Sequence, residues 1–177
     1  MIPAPRIDAR TFPYPERATL TTIPGGVAGT RATLAAMASH VKTAKADPRI
    51  RRLAVCIVGG LPHQAAAGDA YAEQICSWVA DNIQFVRDVD GLETLTPPAY
   101  LLATRAGDCD DHVMLVASLL QSVGIPARFV VGGNATDRPE HVWAEASVDG
   151  EWVPCETTLP IEFGVAPPYR YHWVQPV

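Results

Sequence analysis

Between residues 108 and 123 the chain places Val113, Val116, Ala117, Leu120 and Val123 at helical spacing, and Met114, Leu115 and Leu119 extend the apolar surface round most of the circumference. A helix with so little polar surface has to be covered on nearly every side, so it predicts a central element around which the other layers are built. Its ends are marked in the sequence. Asp108 stands where an N-cap carboxylate would accept the first unpaired N–H groups, and Gly124 followed by Ile125-Pro126 supplies the glycine stop with proline just beyond. Three strand-like runs follow, at 127–131, 141–148 and 151–157.

The first half is helical in pattern. Leu34, Met37, Ala38 and Val41 share a face, and Asp47-Pro48 starts a second helix that carries Ile50, Leu53, Ala54 and Ile57. Tyr71, Ile75, Trp78, Val79 and Ile83 recur at a period of 3.6 and predict a third helix over 68–82. Helices followed by an antiparallel sheet make the fold class α+β. Ten of the 16 prolines lie in the first 24 and last 24 residues. Regular structure is therefore expected within a domain over 25–158, flanked by Pro-rich arms over 1–24 and 159–177 that run extended across the surface. An acidic loop follows the third helix; its Asp88, Asp90, Gly91 and Glu93 carry only a fragment of a calcium-loop pattern and predict a solvated loop.

Charge and composition exclude several roles. The 14 Lys and Arg against 19 Asp and Glu leave a net charge of −5, which argues against nucleic acid as a partner, and the one basic cluster, Arg49, Arg51 and Arg52, fits a solvated helix face. The longest apolar stretch, 53–58, is far short of the about twenty residues that span a bilayer. The N-terminus has no basic region followed by an apolar one, so cytoplasmic synthesis is expected. Cys56, Cys76, Cys109 and Cys155 are scattered without a CxxC pair and are expected as free thiols, with Cys56 and Cys76 packing inside helices.

Cys109 differs from the others. As the first residue after the Asp108 cap it sits among unpaired N–H groups at the positive end of the central helix, where a thiolate is favoured. The flanking Asp108, Asp110 and Asp111 act in the opposite direction, since nearby negative charge raises a thiol pKa. Either these carboxylates are occupied in capping and cation binding, or a histidine supplies the compensating charge.

The hairpin brings that histidine. Asp149-Gly150 is a two-residue type I′ turn, which pairs 148 with 151, His141 with Thr158 and Trp143 with Glu156. His141, Trp143, Glu145, Ser147 and Glu156 then share one face, with His141 and Glu156 as bridgeable diagonal neighbours. Val142, Ala144, Ala146, Val148, Val153 and Cys155 share the other, so a zinc set of Cys109, His112, His141 and Cys155 would need ligands from both faces. Cys109 as nucleophile, His141 as base and Glu156 as its orienting acid are the parts of thiol acyl transfer. Trp78, Tyr100 and Trp143 are candidates for a side-chain oxyanion donor beside the helix-start N–H groups.

The runs GDCDDHVMLVASLLQSVGIPARFVVGG and HVWAEASVDGEWVPCETT resemble the transglutaminase-like superfamily, over roughly residues 70–158. The resemblance implies a papain-like fold with Cys109, His141 and Glu156 in the places of nucleophile, base and acid; the family's acid is usually aspartate, and here it is glutamate. The GDCDD run is also similar to bacterial transglutaminase-like cysteine proteases in which acidic residues beside the nucleophile bind calcium, which by position implies Asp108 and Asp110 as ligands, with plain helix capping as the alternative. The wider pattern resembles transglutaminase-like proteins encoded in phage and prophage tail regions. That implies virion structural proteins, or a maturation or cell-wall peptide, as partner or substrate. Two functions stay open: a peptidase or amidase with no required cofactor, and a catalytically weak domain kept as a peptide-binding or tail-assembly module.

Overall fold

The computed structural model describes residues 19–61, 68–89 and 92–177. In chain order it contains α1 (Gly26–Ala44), α2 (Pro48–Val58), α3 (Gly68–Asn82), β1 (Gln84–Phe85), α4 (Pro98–Thr104), β2 (Ala106–Gly107), α5 (Cys109–Ser122), β3 (Ala127–Gly133), β4 (His141–Val148), β5 (Glu151–Cys155) and β6 (Tyr171–Pro176). Every residue of α5 from Asp111 to Leu120 is buried. This follows from its position: α1, α2, α3 and α4 all pack against it on one side, and β3 and β4 on the other. The architecture is α+β, as expected.

Asp108 caps α5, its Oδ1 accepting the N–H groups of Asp110 at 3.0 Å and Asp111 at 3.3 Å. Gly124, at φ +89°, turns the chain out of the helix in a conformation that side chains with a Cβ resist. At α2, Asp47 accepts the Arg49 N–H and Pro48 occupies the first helical position.

The main sheet is antiparallel in the order β5-β4-β3-β6, and β1 and β2 form a separate short parallel pair. Asp149 and Gly150 both have positive φ, at 51° and 87°, so the hairpin turn is the one its sequence predicts. Its register runs from Val148↔Glu151 to Ala144↔Cys155. The inner face, with Phe129, Val131, Val142, Ala144, Ala146 and Cys155, is buried against the helices.

Three expectations are corrected. The C-terminal segment does not simply run over the surface: its last residues form β6, which pairs with β3 from Gly133↔Tyr171 to Arg128↔Pro176. β5 ends at Cys155, so Glu156 and Thr157 lie just past the last ladder pair. Cys56 is on the exposed side of α2 and packs in no core, whereas Cys76 and Cys155 are buried. Of the N-terminal arm, residues up to 18 lie outside the described residues, as do Asp90 and Gly91; residues 19–24 are exposed and irregular. No helix among the described residues is long and apolar enough to cross a membrane.

The outer face of the sheet is closed by rings. Trp143 stacks with Tyr169 at 6.4 Å between centroids and meets the edge of His172 at 5.1 Å. Gly132 makes the room: a Cβ there would fall 2.6 Å from the Tyr169 ring and 2.8 Å from that of Trp143. Gly132→Ala is therefore expected to destabilise the fold by about 1–3 kcal/mol through overpacking. Urea unfolding measures this, and an unchanged midpoint would show that the rings are not held against the strand.

Candidate active site

Two chain starts meet at one cleft. Cys109 is the first residue of α5 and His141 the first of β4, and both line a cavity of about 340 Å³ together with Asp108, Asp110, Glu93, Glu140 and the opening turns of α1. Gly107 is required by the close approach of the chain before the cysteine: a Cβ there would lie 2.5 Å from an Asp111 carboxylate oxygen and 2.8 Å from Leu101.

Glu156 is joined to His141. Its Oε2 lies 2.6 Å from His141 Nε2, and both residues are buried. The other oxygen, Oε1, accepts the N–H groups of Thr157 at 2.8 Å, Thr158 at 2.5 Å and Leu159 at 3.0 Å, and the Thr158 hydroxyl at 2.8 Å. Burial alone would raise the Glu156 carboxyl, but the hydrogen bonds from His141 and Thr158 outweigh it and hold the group below its ordinary value. With Nε2 bound to the carboxylate, Nδ1 is the nitrogen left for any other partner of the imidazole. The diagonal pairing read from the turn thus exists, and the longer glutamate arm reaches from beyond the end of β5.

The electrostatics round Cys109 are opposed to a thiolate. Burial, then the charges of Asp110 and Asp108, push the thiol well above its ordinary value, while a hydrogen bond from the Val142 N–H pulls the other way. Its hydrogen bond is to Asp110 Oδ1 at 3.7 Å. Asp108 is itself pushed up to about 6 and Asp111 to about 7, both chiefly by burial. Asp110 is raised by burial and by a shared hydrogen bond with Glu93.

Glu93 and Asp88 are residues that sequence reasoning left in a solvated loop. Asp88 folds the loop on itself by accepting the N–H and, at 2.6 Å, the hydroxyl of Thr94. Asp88, Glu93 and Asp108 then bring one carboxylate oxygen each within 4.8 Å of one another, and Asp108, Cys109 and Asp110 form a second such group. The sequence signal for this meeting is slight: a fragment of calcium-loop pattern at 88–93 and, far along the chain, the acidic GDCDD run. The first group offers oxygen donors alone, the ligand type that a hard cation such as calcium takes.

The zinc set is not brought together. His112 turns Nδ1 to the Thr157 hydroxyl at 3.1 Å, and burial lowers its pKa to about 4. Cys155 is the hydrogen-bond partner of Cys76 in the core. Of the oxyanion candidates, Trp78 and Trp143 have buried indole N–H groups without a partner among the described residues, Trp78 lying under the Arg105 guanidinium, and Tyr100 sits on α4.

No curated protein matches the chain. Among solved structures it is similar to a protein from Parabacteroides distasonis provisionally named a protease, at 16% identity and a TM-score of 0.55, covering 71% of this chain and 26% of that one. A protein from Cytophaga hutchinsonii provisionally named a cysteine protease matches at 18% identity and a TM-score of 0.51, covering 73% and 46%. The chain therefore spans less than half the length of these two. LapG of Legionella pneumophila matches at 17% identity and a TM-score of 0.50, with 80% of this chain and 81% of that one covered. At such identities the likeness is one of fold, and the family rests on the sequence pattern of the transglutaminase-like superfamily, which matches residues 51–157. The chain belongs to the transglutaminase-like superfamily.

Proposed function

We propose that the chain is a thiol-dependent acyl-transfer enzyme acting on a peptide or amide, with Cys109 as nucleophile, His141 as base and Glu156 as the acid that orients it. The observation that carries this reading is the 2.6 Å bond between His141 and Glu156 in the cleft that Cys109 also lines. In the forward half, the Cys109 thiol gives its proton to His141 Nδ1, the sulfur attacks the carbonyl, and the imidazolium protonates the departing amine to leave a thioester. In the second half His141 takes a proton from water, hydroxide adds to the thioester, and the thiolate leaves with the proton returned to it. An amine in place of water would make the product a cross-link. Asp108 occupies the N–H groups of Asp110 and Asp111, so the Cys109 N–H is what the helix start offers the oxyanion.

Asp88, Glu93 and Asp108, with Asp110 beside them, would hold calcium. When bound, the cation would neutralise the carboxylates that raise the Cys109 thiol. The similarity of the wider pattern to phage tail-region proteins extends the reading to a virion or cell-wall peptide as substrate.

The test uses iodoacetamide, with Cys109 and Cys56 alkylation followed separately by mass spectrometry in millimolar calcium. Cys109 is expected to react faster than the exposed Cys56, and His141→Ala to slow it at least about tenfold, while turnover on a fluorogenic peptide library vanishes in Cys109→Ala and falls about 10²–10⁴-fold in His141→Ala. Cys109 reacting no faster than Cys56, with His141→Ala without effect, would return the domain to a peptide-binding module.

The carboxylates give a second expectation. Asp108 and Asp111 titrate near 6 and 7 in the folded chain, against about 4 when unfolded. Between those values the folded state binds more protons, so stability falls as pH rises through the window. With a chelator present, the melting temperature should rise as pH drops from 8 to 5, and calcium at pH 7.5 should raise it again, less so in Asp108→Asn. A flat profile with no calcium response would leave these groups as helix caps alone.

A further inference from the structure

Residue 169 lies beyond the stretch that matches the family pattern, in a segment whose prolines suggest an unpaired arm. Its ring nonetheless stands at the site. The centroid of Tyr169 is 5.9 Å from that of His141, Trp143 is 6.1 Å from His141, and Tyr169 and Trp143 are 6.4 Å apart. The three planes tilt from one another by 16° to 34°. The sides of this triangle are nearly equal, so two aromatic rings stand beside the imidazole at similar distances.

The chain holds Tyr169 there from both directions. Its N–H donates to the Pro167 carbonyl at 2.8 Å, and two residues later β6 begins, with Tyr171 and His172 paired to Gly133 and Gly132 of β3. Gly132 is also the residue whose missing Cβ admits the ring. The Tyr169 phenol is raised by burial and then by the charges of Glu140, Glu156 and Cys109, which puts it within electrostatic reach of the site.

We propose that Tyr169 is a positioning residue for His141: its ring closes the outer side of the imidazole and keeps water from the hydrogen bond between His141 and Glu156. The argument is one of dielectric and competition. A bond between an imidazole and a carboxylate that water can reach is continually exchanged for bonds to solvent, and the ring becomes free to rotate; covered, the same bond fixes which nitrogen faces the cleft. His141 and Glu156 are only 8% and 7% exposed, although Glu156 lies past the end of its strand, where neighbouring strands no longer cover it. Trp143 is on the same strand as His141 and belongs to the family's His-x-Trp run, whereas Tyr169 lies past the stretch that the family pattern matches. The catalytic consequence rests on the reading of His141 as the base; the covering of the bond does not.

The measurement is solvent exchange of the His141 ring Nε2–H in histidine-labelled protein by NMR, assigned through its loss in His141→Gln, together with Cys109 alkylation by iodoacetamide. In Tyr169→Leu the ring proton is expected to exchange at least about tenfold faster, and Cys109 alkylation to slow several-fold; Tyr169→Phe, which keeps the ring, should restore both. Exchange as slow in Tyr169→Leu as in the native chain overturns the proposal. If the leucine variant does not fold, Gly132→Ala, which displaces the ring without removing it, decides by the same proton: faster exchange supports the role and unchanged exchange overturns it. A native chain whose Cys109 reactivity ignores His141→Ala would refute the enzyme reading, while the exchange result would still decide whether Tyr169 covers the bond.

Discussion

The capped, fully enclosed helix α5 is the constraint from which the rest follows. Because residues 111 to 120 are all buried, the helix cannot shift or rotate without breaking contacts to four helices and three strands at once. Asp108 closes its start by accepting two of the N–H groups that a buried helix end would otherwise leave unpaired. Cys109 is thereby held on this buried helix at the point where the helix opens to the cleft. The sheet contributes the complementary half: β4 packs on α5 and begins at His141.

That arrangement carries a tension. The same carboxylate that closes the helix adds negative charge beside a thiol already penalised by burial, and Asp110 adds more. A helix-start dipole of about half a charge does not outweigh two carboxylates. The loop at Asp88–Glu93 intensifies the crowding by facing two further acids toward it. Burial and these neighbours raise Asp108 and Asp110 above the ordinary carboxylate range, so the charge standing beside Cys109 varies with pH.

Much of this was legible in the sequence because it depended on local rules. The Asp149-Gly150 turn settled strand register, and parity then put His141 and Glu156 on one face and Cys155 on the other without any tertiary information. Apolar periodicity placed α1, α2, α3 and α5. What escaped depended on partners far apart in the chain. β6 has mostly exposed residues and prolines close by, so nothing in its own composition marks it; it is a strand because β3 offers an edge. Asp88 and Glu93 look like loop solvation until the GDCDD run is set beside them. Cys56 sits on a helix of alternating apolar and basic residues, where one position of phase separates core from solvent. The reach of Glu156 depended on a turn at 157–159 whose donors no pattern announces.

β6 has a consequence for the edge of the sheet. The family pattern stops at residue 157, but β3 would then be an outer strand with a row of unpaired N–H and C=O groups over 128–133, flat and apolar through Phe129, Val130 and Val131. Such an edge is a template for another chain, and a copy trimmed to the recognisable core would offer it to its neighbours. By pairing with β3, β6 fills that edge from within the chain, so the residues past the family pattern complete the sheet rather than trail from it.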